Sequence, residues 1–119
     1  MRVPLVVGGI AFTAFWIASM ASAEAGDARK GKETYAKFCT TCHGAAGKGD
    51  GPMGAGMNPK PKDLSDKAYN RSLKDDYLVK LIQEGGSALG KSPMMPKFSG
   101  TLKESEVADV IAFLRSLAK

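Results

Sequence analysis

The chain has 119 residues, of which 44% are hydrophobic and 24% are charged, and its formal net charge is +5. This length allows one domain and excludes a second core. The basic residues are spread along the chain instead of forming a block, so nucleic-acid binding is not indicated. Solvated surface explains the excess of lysine, and a docking surface for acidic partners is the alternative explanation.

The first 23 residues, MRVPLVVGGIAFTAFWIASMASA, have the pattern of a secretory signal peptide. They carry one charge at Arg2, then an apolar run, then small residues that predict cleavage after Ala23. The alternative is an uncleaved membrane anchor, because roughly 20 apolar residues can cross a bilayer. Both interpretations predict export and leave residues 24–119 as the mature domain.

The mature part begins with a predicted helix over residues 27–38, for which Asp27 is the expected N-cap. The motif CTTCH, residues 39–43, follows at the end of this helix. The next stretch, GAAGKGDGPMGAGMNPKPKDL, is too rich in Gly and Pro to form a regular element. A loop of this length in a small domain is usually functional or wrapped around another group.

In the second half of the chain, the sequence pattern predicts two principal helices and, before them, a short helical turn between Leu64 and Tyr69. A Ser-x-x-Asp cap is expected to open the first principal helix at Ser72, and Gly85 and Gly86 end it. A capping box formed by Thr101 and Glu104 is expected to open the last helix. We therefore predict an all-α domain of three to four helices. Their large apolar side chains are too few to fill a core alone, so a further group is expected inside.

The motif CTTCH holds both cysteines and the only histidine. A thioredoxin-type dithiol is one interpretation, but it requires an α/β fold. Zinc would need a carboxylate as fourth ligand, and a disulfide would close too small a loop to stabilise the chain. The pattern Cys-x-x-Cys-His indicates covalent haem attachment, in which Cys39 and Cys42 form thioethers with the haem vinyl groups and His43 binds iron.

Further segments resemble a known family. In chain order they are Gly31 and Tyr35 in the first helix, CTTCHG, GKGDG, PKPKDL, MMPKF and VADVIAFLRSL. Together they make residues 28–117 resemble a small bacterial monohaem class I cytochrome c. The resemblance implies that fold, with one covalently bound haem c and its iron. It also implies that the first helix crosses the last near Phe113 and Leu114.

The resemblance assigns the second axial ligand to Met95, which precedes a proline in the loop before the last helix. Pro96 favours an extended backbone at Met95, and Met94 is the alternative ligand. In members of this family, a histidine ring nitrogen also donates a hydrogen bond to the carbonyl of a proline in the loop after the Cys-x-x-Cys-His motif. Pro59 and Pro61 both match that position.

A site closed by His43 and Met95 favours electron transfer over oxygen chemistry. We therefore expect a monomeric periplasmic electron carrier and not an enzyme, with neither a nucleic acid nor a small-molecule substrate. Its expected partners are a membrane donor complex and a terminal oxidase or reductase. A bound haem subunit of an oxidoreductase, and a haem sensor or peroxidase-like protein with a labile sixth ligand, are the alternatives. Lysines that could guide docking are Lys48, Lys60, Lys62, Lys91 and Lys97.

Overall fold

The structure is a computed structural model, and it describes residues 3–5, 8–9 and 25–119. The predicted signal peptide, residues 1–23, lies outside the described residues except for five positions, so its cleavage after Ala23 stays a prediction. None of the helices in the described ranges combines the length and the apolar composition that crossing a membrane requires.

Helices are the only regular elements in the described residues, which confirms the all-α prediction. The described ranges contain five α-helices where three to four were expected, because the motif CTTCH closes a helical turn of its own and a short helix precedes the fourth helix. Two single-turn 3-10 helices, Gly54–Gly56 and Ser87–Leu89, lie in the connections. The α-helices are α1 (Ala28–Phe38), α2 (Thr40–His43), α3 (Lys67–Ser72), α4 (Asp75–Glu84) and α5 (Glu104–Ser116).

Asp27 caps α1 as predicted. Its carboxylate accepts hydrogen bonds from the backbone N–H groups of Arg29 at 2.9 Å and Lys30 at 3.2 Å. These are two of the N–H groups that have no partner within a helix. The cap therefore sets where α1 begins.

The predicted caps of α4 and α5 are wrong by two residues. Ser72 donates its hydroxyl to the carbonyl of Tyr69 at 2.6 Å, so it closes α3, and α4 begins after Lys74. The last helix likewise begins after Lys103, whose N–H donates to the Glu106 carboxylate at 2.8 Å. In both cases a turn competes for the residue that the pattern marked as a cap.

The predicted short turn between Leu64 and Tyr69 forms slightly later, as α3. Asp66 caps it by accepting from the Tyr69 N–H at 2.7 Å. The side-chain amide of Asn70 then donates to the carbonyls of Leu64 at 2.7 Å and Leu114 at 2.9 Å. One buried side chain thus joins α3 to the preceding loop and to α5.

Helices α1 and α5 cross at Gly31, and the absence of a side chain there lets their backbones approach closely. A Cβ atom there would lie 1.9 Å from the Asp109 carbonyl oxygen, which means that only glycine allows this approach. The crossing falls about one turn earlier on α5 than the sequence predicted. Tyr35 meets Phe113, with ring centroids 5.0 Å apart, as that prediction requires.

The apolar core lies mainly between α1, α4 and α5. It leaves an open space between α4, the α2 turn and the segment that precedes α5. The buried apolar side chains are Tyr35, Leu78, Ile82, Leu102, Val107, Val110, Ile111, Phe113 and Leu114.

Candidate functional site

The motif CTTCH, residues 39–43, forms a tight turn directly after α1. The carbonyl of Cys39 accepts hydrogen bonds from the N–H groups of Cys42 at 3.2 Å and His43 at 2.8 Å. All three side chains line the same cavity, and both cysteines are half-buried free thiols. A turn of this kind brings residues three and four apart to one face.

The environment of Cys39 differs from that of a redox dithiol. Burial, and to a smaller degree the neighbouring Cys42, raise the pKa of Cys39 to about 11. Reactive dithiol cysteines instead have a lowered pKa that favours the thiolate. Cys39 is therefore a thiol at neutral pH, and the dithiol alternative has no support.

The glycine-rich loop holds the α2 turn from outside through backbone contacts. The N–H of Gly49 donates to the His43 carbonyl at 2.8 Å, and that of Met53 donates to the Thr41 carbonyl at 2.9 Å. A Cβ atom on Gly54 would lie 2.0 Å from the Cys42 carbonyl oxygen. The loop satisfies the free carbonyls at the end of the short helix and keeps its side chains on the cavity side.

Tyr35 supports the same turn from the core. Its buried hydroxyl donates to the carbonyl of Gly44, the residue after His43, at 2.6 Å. Burial raises the pKa of Tyr35 well above its usual value, so the phenol stays protonated and remains a donor. The sequence placed Tyr35 in the first helix and did not predict this hydrogen bond. The tyrosine hydroxyl, which phenylalanine lacks, was the available signal for this bond.

The cavity has a volume of about 560 Å³, within the range of about 300 to 1,000 Å³ that is common for cofactor sites. Most of its wall is apolar. The charged residues on the wall are three exposed lysines, and no carboxylate of the described residues lies there. The lining includes Tyr35, Phe38, Cys39, Cys42, His43, Met57, Pro59, Lys60, Pro61, Lys62, Leu64, Tyr69, Leu73, Tyr77, Leu78, Leu81, Ile82, Lys91, Met94, Met95, Phe98, Val110 and Leu114.

His43 has a buried ring nitrogen, Nδ1, that makes no hydrogen bond within the described part of the chain. Burial lowers the pKa of His43, which favours the neutral imidazole, the form that binds metals. Pro59 and Pro61 both line the cavity, but neither carbonyl accepts a hydrogen bond from Nδ1. The Pro61 carbonyl instead packs against Gly49, where a Cβ atom would lie 2.1 Å from it. The predicted proline bond is therefore absent from this structure.

The methionines differ in their surroundings. Met95 lines the cavity, is half-buried and packs against the core. Met94 also lines the cavity, but 55% of its surface is exposed. Met57 lies on the cavity wall as well, whereas Met53 is exposed and does not line it. Of the four, only Met95 is fixed between the cavity and the core.

This set of side chains fits a covalently bound haem. The cavity is apolar, and it brings together two thiols, an uncommitted imidazole and a thioether, which are the groups that c-type haem uses. No cluster of three or more His, Cys, Asp or Glu side chains in the described ranges has the arrangement of a metal site. The zinc alternative therefore lacks support.

Arg115 joins α5 to α3 and to the start of α4 through contacts that the sequence does not indicate. The Arg115 guanidinium donates to the Asn70 side-chain oxygen at 3.0 Å and to the Asp75 carboxylate at 2.6 Å. It also donates to the backbone carbonyls of Asn70 and Leu73. These contacts join residues far apart in sequence, and no local pattern indicates them.

Comparison with known proteins gives concordant matches. A family model described as Cytochrome c matches residues 28–118. A cbb3-type cytochrome c oxidase subunit, FixP, of Bradyrhizobium diazoefficiens is 30% identical over 91 residues, which are 76% of this chain and 28% of that subunit. The chain thus spans less than a third of that relative. A solved structure, the KustC0563 c-type cytochrome, matches with a TM-score of 0.59 and 27% identity, covering 75% of this chain and 98% of that one.

Proposed function

Because the chain belongs to the cytochrome c family, we propose that it is an exported single-electron carrier whose haem iron is held by His43 and Met95. As a family member the chain binds haem c covalently and takes part in electron transport. The proposal adds Cys39 and Cys42 as the attachment sites. One observation carries it: a single apolar cavity is lined by both cysteines, the only histidine and Met95.

When bound, haem supplies an iron that alternates between the ferrous and ferric states. The chain contributes the rest. Cys39 and Cys42 would tether the group through two thioethers, and the imidazole of His43 and the thioether of Met95 would hold its iron. A thioether ligand stabilises the reduced state and raises the potential. The apolar wall excludes water, and an iron held by both His43 and Met95 would favour electron exchange over oxygen chemistry.

The assignment to Met95 over Met94 rests on burial and backbone anchoring. Met95 packs against the core, and its carbonyl accepts a hydrogen bond from the Gly86 N–H at 3.0 Å. Met94 is mostly exposed, and its N–H donates to the Ser92 hydroxyl at 3.2 Å. A buried, anchored thioether loses less freedom on binding iron than an exposed one does.

Two variants of the haem-loaded protein test this assignment. Met95→Ala should lose the weak long-wavelength absorbance band of methionine on ferric iron and should bind carbon monoxide when reduced. Met94→Ala should keep the band and exclude carbon monoxide. Both should retain covalent haem after denaturation. The opposite pattern would assign the ligand to Met94, and carbon monoxide binding by the unmodified protein would favour a sensor or peroxidase-like protein.

Three lysines support docking to acidic redox partners. Lys60, Lys62 and Lys91 are exposed at the cavity wall, whereas Lys48 and Lys97 are exposed but do not line it. Positive charge on a cavity wall that has no carboxylate among its lining residues attracts an acidic surface and speeds association. The expected partners are a membrane donor complex and a terminal oxidase or reductase on the periplasmic side, with the carrier itself monomeric.

A permanently bound oxidase subunit is the second candidate, because the matched relative is named as a subunit of a cbb3-type oxidase. Purification at high ionic strength distinguishes a free carrier from a permanently bound subunit. Docking through exposed lysines is screened at high ionic strength, so a carrier separates from its partner during purification in high salt. A subunit with an apolar interface stays bound under the same conditions.

A further inference from the structure

The connection from α4 to α5 begins with Gly85 and Gly86, and Gly86 is hydrogen-bonded to Met95 further along the same connection. The Gly86 N–H donates to the Met95 carbonyl at 3.0 Å. The Gly86 carbonyl accepts from the N–H groups of Lys91 at 2.8 Å and Leu89 at 3.1 Å. Gly86 is buried, so both of its polar groups are used to close the loop that carries the methionines.

Gly86 also has no room for a side chain. A Cβ atom there would lie 1.9 Å from the Ser92 carbonyl oxygen and 3.3 Å from the Met95 Cβ. The backbone of Gly86 has φ −66° and ψ −41°, which every residue adopts readily. The need for glycine therefore comes from the contact with the loop and not from backbone conformation.

The segment after Met95 is attached to α4 as well. The Phe98 N–H donates to the Ile82 carbonyl at 3.0 Å, and the Ser99 N–H donates to the Gln83 carbonyl at 3.1 Å. These bonds use carbonyls that the end of α4 leaves without helical partners. Hydrogen bonds thus attach the chain on both sides of Pro96. Met95 is bonded to Gly86, just after α4, and Phe98 is bonded to Ile82 within α4.

We propose that Gly86 is a positioning residue for the axial methionine, and this inference rests on the proposed function. Its N–H and its lack of a side chain hold the Ser92 to Met95 backbone against the end of α4. A larger residue displaces the Ser92 carbonyl and weakens ligation by Met95. Gly85 contacts the same segment, but its φ of +83° would add backbone strain to any substitution. Gly86 is therefore the cleaner position to test.

The test compares Gly86→Ala with Gly100→Ala in the haem-loaded ferric protein. Gly100 lies in the same connection, and a Cβ atom there meets nothing within 4 Å. Imidazole is titrated against each protein, because it competes with the methionine for iron. We expect Gly86→Ala to bind imidazole about tenfold more tightly than the unmodified protein, which corresponds to about 1.4 kcal/mol. Gly100→Ala should match the unmodified protein.

Equal imidazole affinity in Gly86→Ala and the unmodified protein would overturn the role of Gly86. Met95→Ala belongs in the same titration. If it binds imidazole no more tightly than the unmodified protein, the proposed ligand is wrong and the inference fails with it. An effect of Met95→Ala without one of Gly86→Ala rejects only the positioning role.

A second measurement covers the case in which Gly86→Ala does not fold. Amide hydrogen exchange is followed in the unmodified haem protein with and without saturating imidazole. Release of Met95 should reduce protection of the Gly86 and Lys91 amides. The amide of Leu64, bonded to the Gly47 carbonyl at 2.7 Å on another wall, should keep its protection. Unchanged protection at Gly86 would contradict the inference.

Discussion

At the residue scale, Gly54 and Gly56 lie in the same 3-10 helix but have different surroundings. A Cβ atom on Gly54 would lie 2.0 Å from the Cys42 carbonyl oxygen and 2.9 Å from that of Gly49, whereas one on Gly56 meets nothing within 4 Å. Composition marks both as loop glycines. Only the path of the backbone decides which of them the α2 turn requires.

We predict that Gly54→Ala lowers the free energy of unfolding by about 1–3 kcal/mol, because the added methyl group forces the loop away from α2. Gly56→Ala should be neutral or stabilising by up to about 1 kcal/mol, because alanine restricts the unfolded chain. Urea unfolding of the two haem-loaded variants measures both values. Equal destabilisation would show that the loop does not press on the α2 turn.

At the scale of the element, α1 depends on a charged cap. The N–H groups of Lys30 and Arg29 hold the pKa of Asp27 below its usual value of 3.8. A lowered pKa in the folded state means that ionised Asp27 contributes stability above its unfolded pKa. That contribution is lost as the pH falls through the folded pKa.

We predict that Asp27→Asn keeps the cap but removes this pH dependence, because the amide oxygen still accepts hydrogen bonds and carries no charge. The unmodified protein should be more stable than the variant at neutral pH. The difference should disappear once the pH is below the folded pKa of Asp27. Urea unfolding across the acidic range measures it, and a difference that does not change with pH would exclude a role for the charge.

At the scale of the whole molecule, Asn70 connects three parts of the fold. It is 2% exposed, so its polar side chain is buried. Its amide donates to the carbonyls of Leu64 and Leu114, and its oxygen accepts from Arg115. These contacts hold α3, the preceding loop and α5 around the cavity.

We predict that Asn70→Ala lowers the free energy of unfolding by about 2–4 kcal/mol, because two carbonyls and a guanidinium group lose a buried partner. Asn58→Ala is the matched control, since Asn58 is exposed and exposed substitutions usually change stability by less than about 0.5 kcal/mol. Chemical denaturation of the haem-loaded proteins gives both values. Similar losses for the two variants would refute the connecting role of Asn70.

Haem also supports the whole fold in this proposal. Without haem the apolar wall of the cavity would face water, and covering apolar surface stabilises a fold by about 25 cal/mol per Å². The cavity therefore accounts for the low number of large apolar side chains noted in the sequence.

We predict that replacing both Cys39 and Cys42 by serine abolishes covalent haem and, with it, fixed tertiary packing. Far-ultraviolet circular dichroism should retain some helical signal, while near-ultraviolet dichroism and amide NMR dispersion collapse. The haem-loaded protein serves as the control. A colourless double variant with native NMR dispersion would show that the chain folds without its cofactor.

The sequence determined the features that depend on local chemistry. The motif from Cys39 to His43 indicated its cofactor because two thiols and an imidazole are brought together within one turn. Asp27 and the pair Gly85 and Gly86 marked the beginning of α1 and the end of α4 by local capping. The family match then confirmed both the fold class and the covalently bound haem.

Tertiary structure decided what depends on contacts between distant segments. Ser72 and Thr101 had the pattern of caps, but competing turns moved the starts of α4 and α5 to Asp75 and Glu104. The position before Pro96 distinguished Met95 from Met94 in the sequence, but only tertiary packing decides that Met95 is half-buried against the core and Met94 is exposed. The physical reason for this difference is the range of the interactions. Capping and motif chemistry act within one turn of the chain, whereas burial depends on which segments the complete fold brings together.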